Sequence, residues 1–394
     1  MTARSAKAGR ARFDIGTIVR AHRSHLEAEH RLTCAQKRVL TDIARCRTAA
    51  LGGHLDHCPS CGYEHPRYNS CRNRHCPKCQ TLAAETWIDK RSAYMLDVGH
   101  FHVVFTVPSE LRPLAKHAPR VVYNALFHAA SQTLLELGDS RFHAMLGATL
   151  VLHTWTRDLR YHPHVHAIVT AGGLTHDGER FRRSSRHSLF RVEVMGTLLR
   201  GKVLAALSLA HAEGAFADFE AFRDPAAFPR LIRKMAKLSW NVDARKPFKK
   251  SKHVLKYLGR YTHRVGIANS RLLAVTDDRV VFKTKGRATE TLTPVAFLWR
   301  FVQHVLPKGF HKLRHIGLYA AGAHERLALA RARLEMPTPA PRPKLSWEEK
   351  LLALTGREVR RCPACGGPLL RSALPVGGAP VVGSGLPPPA RGPP

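Results

Sequence analysis

A pair of histidines in an apolar stretch gives the most direct indication of chemistry in this sequence. His164 and His166 lie in the His-Pro-His-Val-His segment at 162–166, within the stretch 150–173. Side chains alternate between the faces of a strand, so His164 and His166 share one face and Val165 takes the other. Two imidazoles fixed on one face of a strand form half of a site for a divalent metal.

A third ligand is expected from the preceding apolar run. His153 comes eleven residues before His164, and a hairpin folded around 158–161 would bring it beside the pair. His162 is the competing third ligand, although it precedes the kink that Pro163 imposes. With 25 histidines in the chain, some His-x-His triplets arise by chance. The triplet at 100–102 is interpreted as structural, because it has no comparable setting.

Two tyrosines further along the chain are candidate nucleophiles. Ser251 can cap a helix over 253–264, and Tyr257 and Tyr261 are four residues apart within it. Both hydroxyls then project from one face, with β-carbons about 6 Å apart. Positive side chains, which favour phenolate and bind phosphate, surround the pair: Lys256, Arg260 and Arg264. The alternative is that both tyrosines are ordinary core or interface aromatics.

The cysteines are clustered as zinc ligands. Two Cys-x-x-Cys pairs, Cys58 with Cys61 and Cys76 with Cys79, predict a closed four-thiolate zinc site that is structural and not catalytic. Cys71 and His75 lie between the pairs and are possible substitutes, and so are His54 and His57 just before them. Two isolated cysteines, Cys34 and Cys46, are expected to be ordinary buried thiols. The pair Cys362 and Cys365 is half a site, which has meaning only if another segment supplies a partner pair.

The charge of the chain indicates a polyanionic partner. Lysine and arginine number 63 against 29 acidic residues, a formal charge of +34. Nucleic acid is the expected partner, and a merely basic protein is the weaker alternative. Between the two cysteine pairs, Arg72, Arg74 and Lys78 are candidate phosphate contacts on a small rigid module.

The sequence offers no support for a membrane role. It has no apolar run long enough to span a bilayer, and its basic start lacks the apolar segment of a signal peptide. We therefore expect a cytoplasmic protein associated with the nucleoid and not with a membrane.

The order of predicted elements indicates an α+β fold. Residues 13–47 are helical, 101–107 form a strand ended by Pro108, and 119–137 form a helix ended by Gly138. The histidine hairpin follows, and strand, helix, strand, strand fits an antiparallel sheet with helices packed on it. We expect three consecutive parts: a helical and zinc-binding DNA-binding domain at 1–98, a catalytic core at 99–320, and a C-terminal linker at 321–394. That last part ends in a Pro/Gly-rich tail, from residue 374, that cannot form a core.

These parts combine into one reaction. A divalent metal held by histidines acts as a Lewis acid on a phosphate, and a tyrosine hydroxyl can attack that phosphate in line. The strand is cut, and the bond energy is kept as a phosphotyrosine until a free DNA hydroxyl reverses the step. The substrate must be single-stranded or extruded DNA, so that the hydroxyl can reach the backbone.

Three motifs in matching order resemble the transposases of the insertion sequence 91 type, two-tyrosine HUH enzymes of rolling-circle transposition. They are the segments at 71–80, 162–166 and 257–264, and the resemblance covers about residues 13 to 320. It implies a zinc-binding N-terminal domain, an HUH core on an antiparallel sheet, Mg or Mn at the histidines, and Tyr257 and Tyr261 as nucleophiles. The alternative is a catalytically silent zinc-containing DNA-binding protein or an inactive transposon relic. An acidic-triad transposase fits poorly, because acidic residues are scarce.

Overall fold

The helices and strands alternate irregularly along the chain. The computed structural model describes residues 13–92, 94–185, 187–248, 266–337, 345–356 and 358–383. The α-helices of these residues are α1 (Ile15–Glu29), α2 (Cys34–Arg45), α3 (Thr81–Ser92), α4 (Arg112–His117), α5 (Pro119–Phe142), α6 (Val192–Ala212), α7 (Ala227–Lys237), α8 (Pro294–Val302), α9 (His324–Arg333) and α10 (Trp347–Thr355). The strands are β1 (Gly53–His57), β2 (Glu64–Tyr68), β3 (His100–Thr106), β4 (Ala144–Trp155), β5 (Tyr161–Thr175), β6 (Phe181–Arg183), β7 (Val242–Phe248), β8 (Leu272–Val275), β9 (Val280–Lys283), β10 (Thr289–Leu292), β11 (Leu313–Gly317) and β12 (Leu370–Leu374).

Contacts divide the chain into two units that interleave in sequence. The first comprises residues up to Ala83, the segment Ile267–Trp299, and residues from 340 onward. The second comprises Ala84–Gly266 and Arg300–Pro339. The three consecutive domains predicted above stay a prediction, but the structural units are not consecutive. The α+β class is confirmed, because antiparallel sheets and helices occur together in the described residues.

The first unit begins with a helical hairpin whose ends are fixed by local capping. The Asp14 carboxylate accepts a hydrogen bond from the Gly16 amide at the start of α1. Thr33 and Gln36 form a reciprocal capping box at the start of α2, which satisfies amides that a helix otherwise leaves open. The apolar residues Ile18 and Leu40 are fully buried in this unit. This hairpin lies where the sequence predicts helix.

Two small three-stranded sheets complete the first unit. One has the order β12-β1-β2 and the other β10-β9-β8, and both are antiparallel. In the first sheet, the buried Asp56 carboxylate of β1 forms ion pairs with Arg67 of β2 and, at 2.9 Å, with Arg371 of β12. A buried carboxylate needs such partners, so Asp56 fixes both neighbouring strands against β1.

The second unit is built on one antiparallel sheet. Its strand order is β11-β4-β5-β3-β7, with β6 beside β5. The strands β4 and β5 form the predicted hairpin, in which His153 is opposite His164 and Val151 is opposite His166. On the other side of β5, Val104 of β3 is opposite His166.

The two faces of this sheet have different environments. Val103, Leu150, Val165 and Ala167 point to one face and are buried in a core formed with α4, α5 and α6. The intervening residues point to the opposite face, where Val151 and Ile168 pack in a second, smaller cluster. His153, His164 and His166 alternate with the core residues and therefore lie on the face opposite these helices.

The predicted end of the helix over 119–137 differs from the structure. Helix α5 continues through Gly138 to Phe142. Gly138 is buried against β4, and a β-carbon at this position would lie 2.7 Å from the Leu146 side chain. Glycine therefore permits close packing of α5 on β4. The predicted tail starts at Leu374, which is the last residue of β12 and lies opposite Gly53 of β1. Beyond it, the amide of Val381 donates a 2.8 Å hydrogen bond to the Tyr68 hydroxyl.

Candidate active site

Three histidines converge on the face of the large sheet that lies opposite the helices. One ring nitrogen of each of His153, His164 and His166 lies within 4.8 Å of the others. His153 is buried, and His164 and His166 are half-buried. The hairpin register brings them together, because it places His153 across from His164 and one strand step from His166.

Hydrogen bonds to the other ring nitrogens orient two of these imidazoles. His164 Nδ1 lies 2.6 Å from the His162 carbonyl oxygen, so Nδ1 carries the proton and donates, and Nε2 is left as the possible metal ligand. His166 Nδ1 lies 2.7 Å from His102 Nε2 on β3. Such contacts behind a ligand fix its tautomer and its ring orientation.

The competing third ligand is directed elsewhere. His162 Nδ1 accepts a 2.9 Å hydrogen bond from the Arg112 guanidinium, and His162 is not part of the group that converges. Of the two sequence alternatives, the structure therefore brings His153, and not His162, to the pair.

Burial keeps the converging imidazoles neutral. It lowers the pKa of His164 to about 4, and it lowers the pKa of His153 and of His166 well below the usual value. The neutral imidazole is the form that binds a metal. These rings are therefore in the ligand form throughout the physiological pH range.

The donor set fits a divalent transition metal. Three nitrogens within 4.8 Å of one another can approach a common ion at about 2.1 Å with small side-chain rotations, and no other protein ligand is required for an open site. Imidazole suits transition metals, whereas Mg²⁺ prefers oxygen ligands, so a transition metal fits these residues better than Mg²⁺ does.

The candidate nucleophiles lie outside the described residues. Tyr257 and Tyr261, with the predicted phosphate contacts Lys256, Arg260 and Arg264, fall in the segment 249–265. The residues on either side of that segment are described. Phe248, on β7, pairs with His100 at one end of β3. Gly266 lies at the opposite end of the sheet, where a β-carbon would be 3.3 Å from Leu159 in the turn between β4 and β5.

A four-cysteine cluster forms in the first unit. Cys46, Cys71, Cys76 and Cys79 bring their sulfurs within 4.8 Å of one another. The Cys79 sulfur is 3.2 Å from that of Cys46 and 3.6 Å from that of Cys71. Four thiolates around one zinc ion at 2.3 Å lie about 3.8 Å apart, so the cluster has the dimensions of a zinc site.

The electrostatics of this cluster suit a cation. Hydrogen bonds from the neighbouring thiols, first that of Cys46, lower the pKa of Cys79. Hydrogen bonds to the neighbouring sulfurs, first that of Cys46, raise the pKa of Cys76, and repulsion between adjacent thiolates acts in the same direction. A divalent cation in place of the shared protons would relieve this repulsion.

The predicted grouping of zinc ligands differs from the structure. Cys58 and Cys61 do not join Cys76 and Cys79; their sulfurs approach those of Cys362 and Cys365. The physical reason is that β1 pairs with β12, which carries the second pair to the first. Cys71 takes a position in the cluster as a substitute, whereas His75 is held by Asn73 and stays outside it.

The predicted DNA contacts of the module differ in accessibility. Arg72 is exposed, and Arg74 is half-buried. Lys78 donates to the Asp14 carboxylate at 2.6 Å and to the Cys46 carbonyl at 3.0 Å. Lys78 therefore joins the start of α1 to the end of α2, which is a structural role that competes with phosphate binding.

Two residues of these sites were missed from sequence. Cys46 was interpreted as an ordinary thiol, because no second cysteine stands at metal-ligand spacing beside it. His102 was interpreted as structural, yet it contacts His166 directly. One feature of the sequence could have indicated a role for His102. It lies in a predicted strand of the same sheet, and neighbouring strands bring side chains of the same face together.

In the part of the chain that the structure describes, no α-helix combines the length and the apolar character needed to cross a bilayer.

Comparisons with known proteins match both the cysteine-containing region and the histidine-containing region of the chain to transposases. Residues 18–107 match a family model described as a transposase zinc-binding domain of the insertion sequence 91 type, and residues 147–326 match one described as "Putative transposase". The first range contains the four-cysteine cluster, and the second contains the three histidines.

Two curated relatives span most of the chain. "Putative transposase y4qJ" of Sinorhizobium fredii is 39% identical over 369 residues, which are 89% of this chain and 92% of that protein. "Transposase for insertion sequence element IS801" of Pseudomonas savastanoi pv. phaseolicola is 30% identical over 386 residues, 92% of this chain and 89% of that protein. No solved structure gives a significant match.

The class of protein is therefore a transposase with a zinc-binding domain. More narrowly, the chain belongs to the family of transposases of the insertion sequence 91 and IS801 type.

Proposed function

We propose that this transposase cleaves and rejoins single-stranded DNA through a covalent phosphotyrosine, with Tyr257 and Tyr261 as the nucleophiles. The observation that carries the proposal is the convergence of His153, His164 and His166 on the sheet face opposite the helices. A bound divalent metal would supply Lewis-acid stabilisation of charge on the scissile phosphate.

The reaction is a transfer of one phosphodiester bond. A tyrosine oxygen attacks the phosphorus and loses its proton, the bond from phosphorus to the 3′ oxygen breaks, and that oxygen leaves as a 3′ hydroxyl. The 5′ phosphate is then esterified to the tyrosine. Rejoining reverses the step, since a free 3′ hydroxyl attacks the phosphotyrosine and releases the phenol, so no external energy source is required.

The positions of the described neighbours support a tyrosine approach to the histidines. Phe248 lies at the His100 end of β3 and Gly266 beside the β4–β5 turn, so the segment between them starts and finishes at opposite ends of the sheet. These ends are about 30 Å apart at 3.3 Å per residue. A helix over 253–264 rises about 18 Å, and the remaining residues can cover the rest. A connection of this length is therefore compatible with the proposed approach of Tyr257 or Tyr261 to the histidines.

We further propose that both units contact DNA. The formal net charge of +34 favours binding of the chain to a polyanion such as DNA. Arg72 and Arg74 would contact phosphates from the zinc module, and Lys256, Arg260 and Arg264 would hold the strand beside the tyrosines. The substrate is single-stranded or extruded DNA at element ends, which would place the protein at the nucleoid in the cytoplasm.

The experiment is a covalent capture assay. The purified full chain is incubated with a labelled single-stranded oligonucleotide carrying an element end and with Mn²⁺ or Mg²⁺, and adducts are resolved under denaturing conditions. We expect an adduct in the wild type that the double variant Tyr257→Phe/Tyr261→Phe does not form. Tyr94→Phe is a matched control, because Tyr94 is an exposed tyrosine outside the proposed site.

The histidine ligands are tested by substitution and metal titration. His153→Ala and His166→Ala should abolish adduct formation at low Mn²⁺, whereas His162→Ala should retain the metal affinity. An unchanged affinity in His153→Ala together with a loss in His162→Ala would reject His153 as the third ligand.

The alternative is a DNA-binding protein without catalysis, which the excess of positive charge also supports. Failure of the wild type to form an adduct on any strand carrying the cognate end, combined with tight DNA binding, would favour this alternative and reject the phosphotyrosine mechanism.

A further inference from the structure

We propose that the chain binds a second structural zinc ion, held by Cys58 and Cys61 of the N-terminal module and by Cys362 and Cys365 from the C-terminal region. The second pair lies outside both matched family ranges, 18–107 and 147–326. The zinc module of this protein therefore extends beyond the residues that the family model describes.

The sulfur positions carry the inference. The four sulfurs lie within 4.8 Å of one another. Cys58 Sγ is 3.5 Å from Cys365 Sγ, and Cys61 Sγ is 3.6 Å from Cys362 Sγ. These separations are close to the value of about 3.8 Å for thiolates around one tetrahedral zinc ion.

The backbone of both pairs has the same form. Each pair reads Cys-Pro-x-Cys-Gly, and its glycine has a positive φ, 70° at Gly62 and 75° at Gly366. In each turn the glycine amide donates to the carbonyl of the first cysteine, with Gly62 to Cys58 and Gly366 to Cys362, both at 2.9 Å. Two turns with the same form, facing each other across four sulfurs, form a closed site for one ion.

Amides directed at sulfur support thiolate character in the C-terminal pair. The amide of Ala364 lies 3.4 Å from Cys362 Sγ, and the amide of Gly367 lies 3.4 Å from Cys365 Sγ. Such contacts stabilise negative charge on the sulfur, which is the state that coordinates a metal.

The pairing of β1 with β12 places the two cysteine pairs next to each other by protein contacts alone. Strand β12 pairs with β1 from Gly53 opposite Leu374 to His57 opposite Leu370, directly beside Cys58. Arg371 of β12 also reaches the buried Asp56 carboxylate at 2.9 Å. Cys58 and Cys362 are buried with Leu369 in a small apolar cluster. The half-site predicted at 362–365 thus has its partner pair in the same unit.

Zinc is the expected metal. Four thiolates in a tetrahedral arrangement select zinc or iron, and closed four-cysteine sites are typical of structural zinc. The matched domain description also names zinc for the module to which Cys58 and Cys61 belong.

The test is metal stoichiometry of the full chain. The wild type and the double variant Cys362→Ser/Cys365→Ser are expressed without added chelator, and zinc and iron are measured by elemental analysis against protein concentration. We expect the variant to hold one zinc ion fewer per chain than the wild type. Cys34→Ser is the control, because Cys34 is exposed and belongs to neither cluster, and it should keep the zinc content of the wild type.

A second measurement covers the case in which the double variant is unstable. Cobalt substitution of the wild type should give a thiolate charge-transfer absorption of twice the intensity expected for one four-cysteine site, and the separate variant Cys46→Ser should lose half of it. One zinc ion per wild-type chain, iron in place of the second zinc, or an unchanged content in the double variant would overturn the proposal. None of these outcomes depends on whether the protein forms a phosphotyrosine.

Discussion

The contact between His102 and His166 gives a prediction that can be worked out in detail. His102 Nε2 lies 2.7 Å from His166 Nδ1, a contact that orients the ring of this proposed metal ligand. The variant His102→Ala removes this hydrogen bond and with it one of the contacts that orient the His166 ring. We expect the fold to persist and the metal site to weaken.

The magnitude follows from the type of contact. Removing one partner of a buried hydrogen bond costs about 1–3 kcal/mol. Because about 1.4 kcal/mol corresponds to a factor of ten in affinity, the Mn²⁺ dissociation constant should rise about 10- to 100-fold. The conservative variant His102→Gln keeps a polar group at similar reach and should recover part of the loss.

The assay measures both binding and reaction. Mn²⁺ affinity is determined by calorimetry, and adduct formation on single-stranded DNA is followed as a function of Mn²⁺ concentration. His102→Ala should need more Mn²⁺ but approach the wild-type rate at saturation. His100→Gln is a matched control on the same strand and face, since His100 contacts Tyr319 and the Val98 carbonyl instead. Equal Mn²⁺ affinity in the wild type and in His102→Ala would refute the reasoning.

Three further predictions concern stability and metal content. Burial lowers the pKa of His304 to about 4, so on acidification His304 takes up a proton in the unfolded chain before it does so in the folded protein. The free energy of unfolding should therefore fall by about 1.3 kcal/mol between pH 7.5 and 5.5 through this residue. In denaturant titrations, the stability of His304→Gln should depend on pH less strongly by that amount, and an equal pH dependence would contradict the assignment. Gly317→Ala should destabilise by about 2–4 kcal/mol, since Gly317 has a φ of 56° and its β-carbon would overlap the Leu146 carbonyl oxygen; an unchanged melting temperature would argue against that backbone. Cys46→Ser should lose one zinc ion while Cys34→Ser loses none, and elemental analysis would expose the opposite result.

The histidine hairpin could be predicted because its determinants are local. His153 and His164 are separated by one turn, and the alternation of apolar residues on both strands fixes which side chains share a face. The class of fold followed from the same patterns. The contribution of His102 could not be predicted in this way, because it depends on the register between β3 and β5.

The grouping of cysteines was not accessible from spacing alone. Close spacing suggested joining Cys58 and Cys61 to Cys76 and Cys79, whereas the structure supplies partners for the first pair from about 300 residues away. The shared Cys-Pro-x-Cys-Gly form at 58–62 and 362–366 is the signal that distinguishes them, since the pair at 76–79 is followed by glutamine. Cys46 has no such signal, because a single cysteine at the end of a helix forms no motif.

The pairing of β1 with β12 has a consequence for the order of events during synthesis. Strand β1 leaves the ribosome before the large sheet does, but one of its two neighbours is not made until residue 374. At 5–20 residues per second the interval is about 15–60 s, during which one edge of β1 has no native partner. A nascent transposase therefore lacks a finished β12-β1-β2 sheet while its histidine hairpin is already complete.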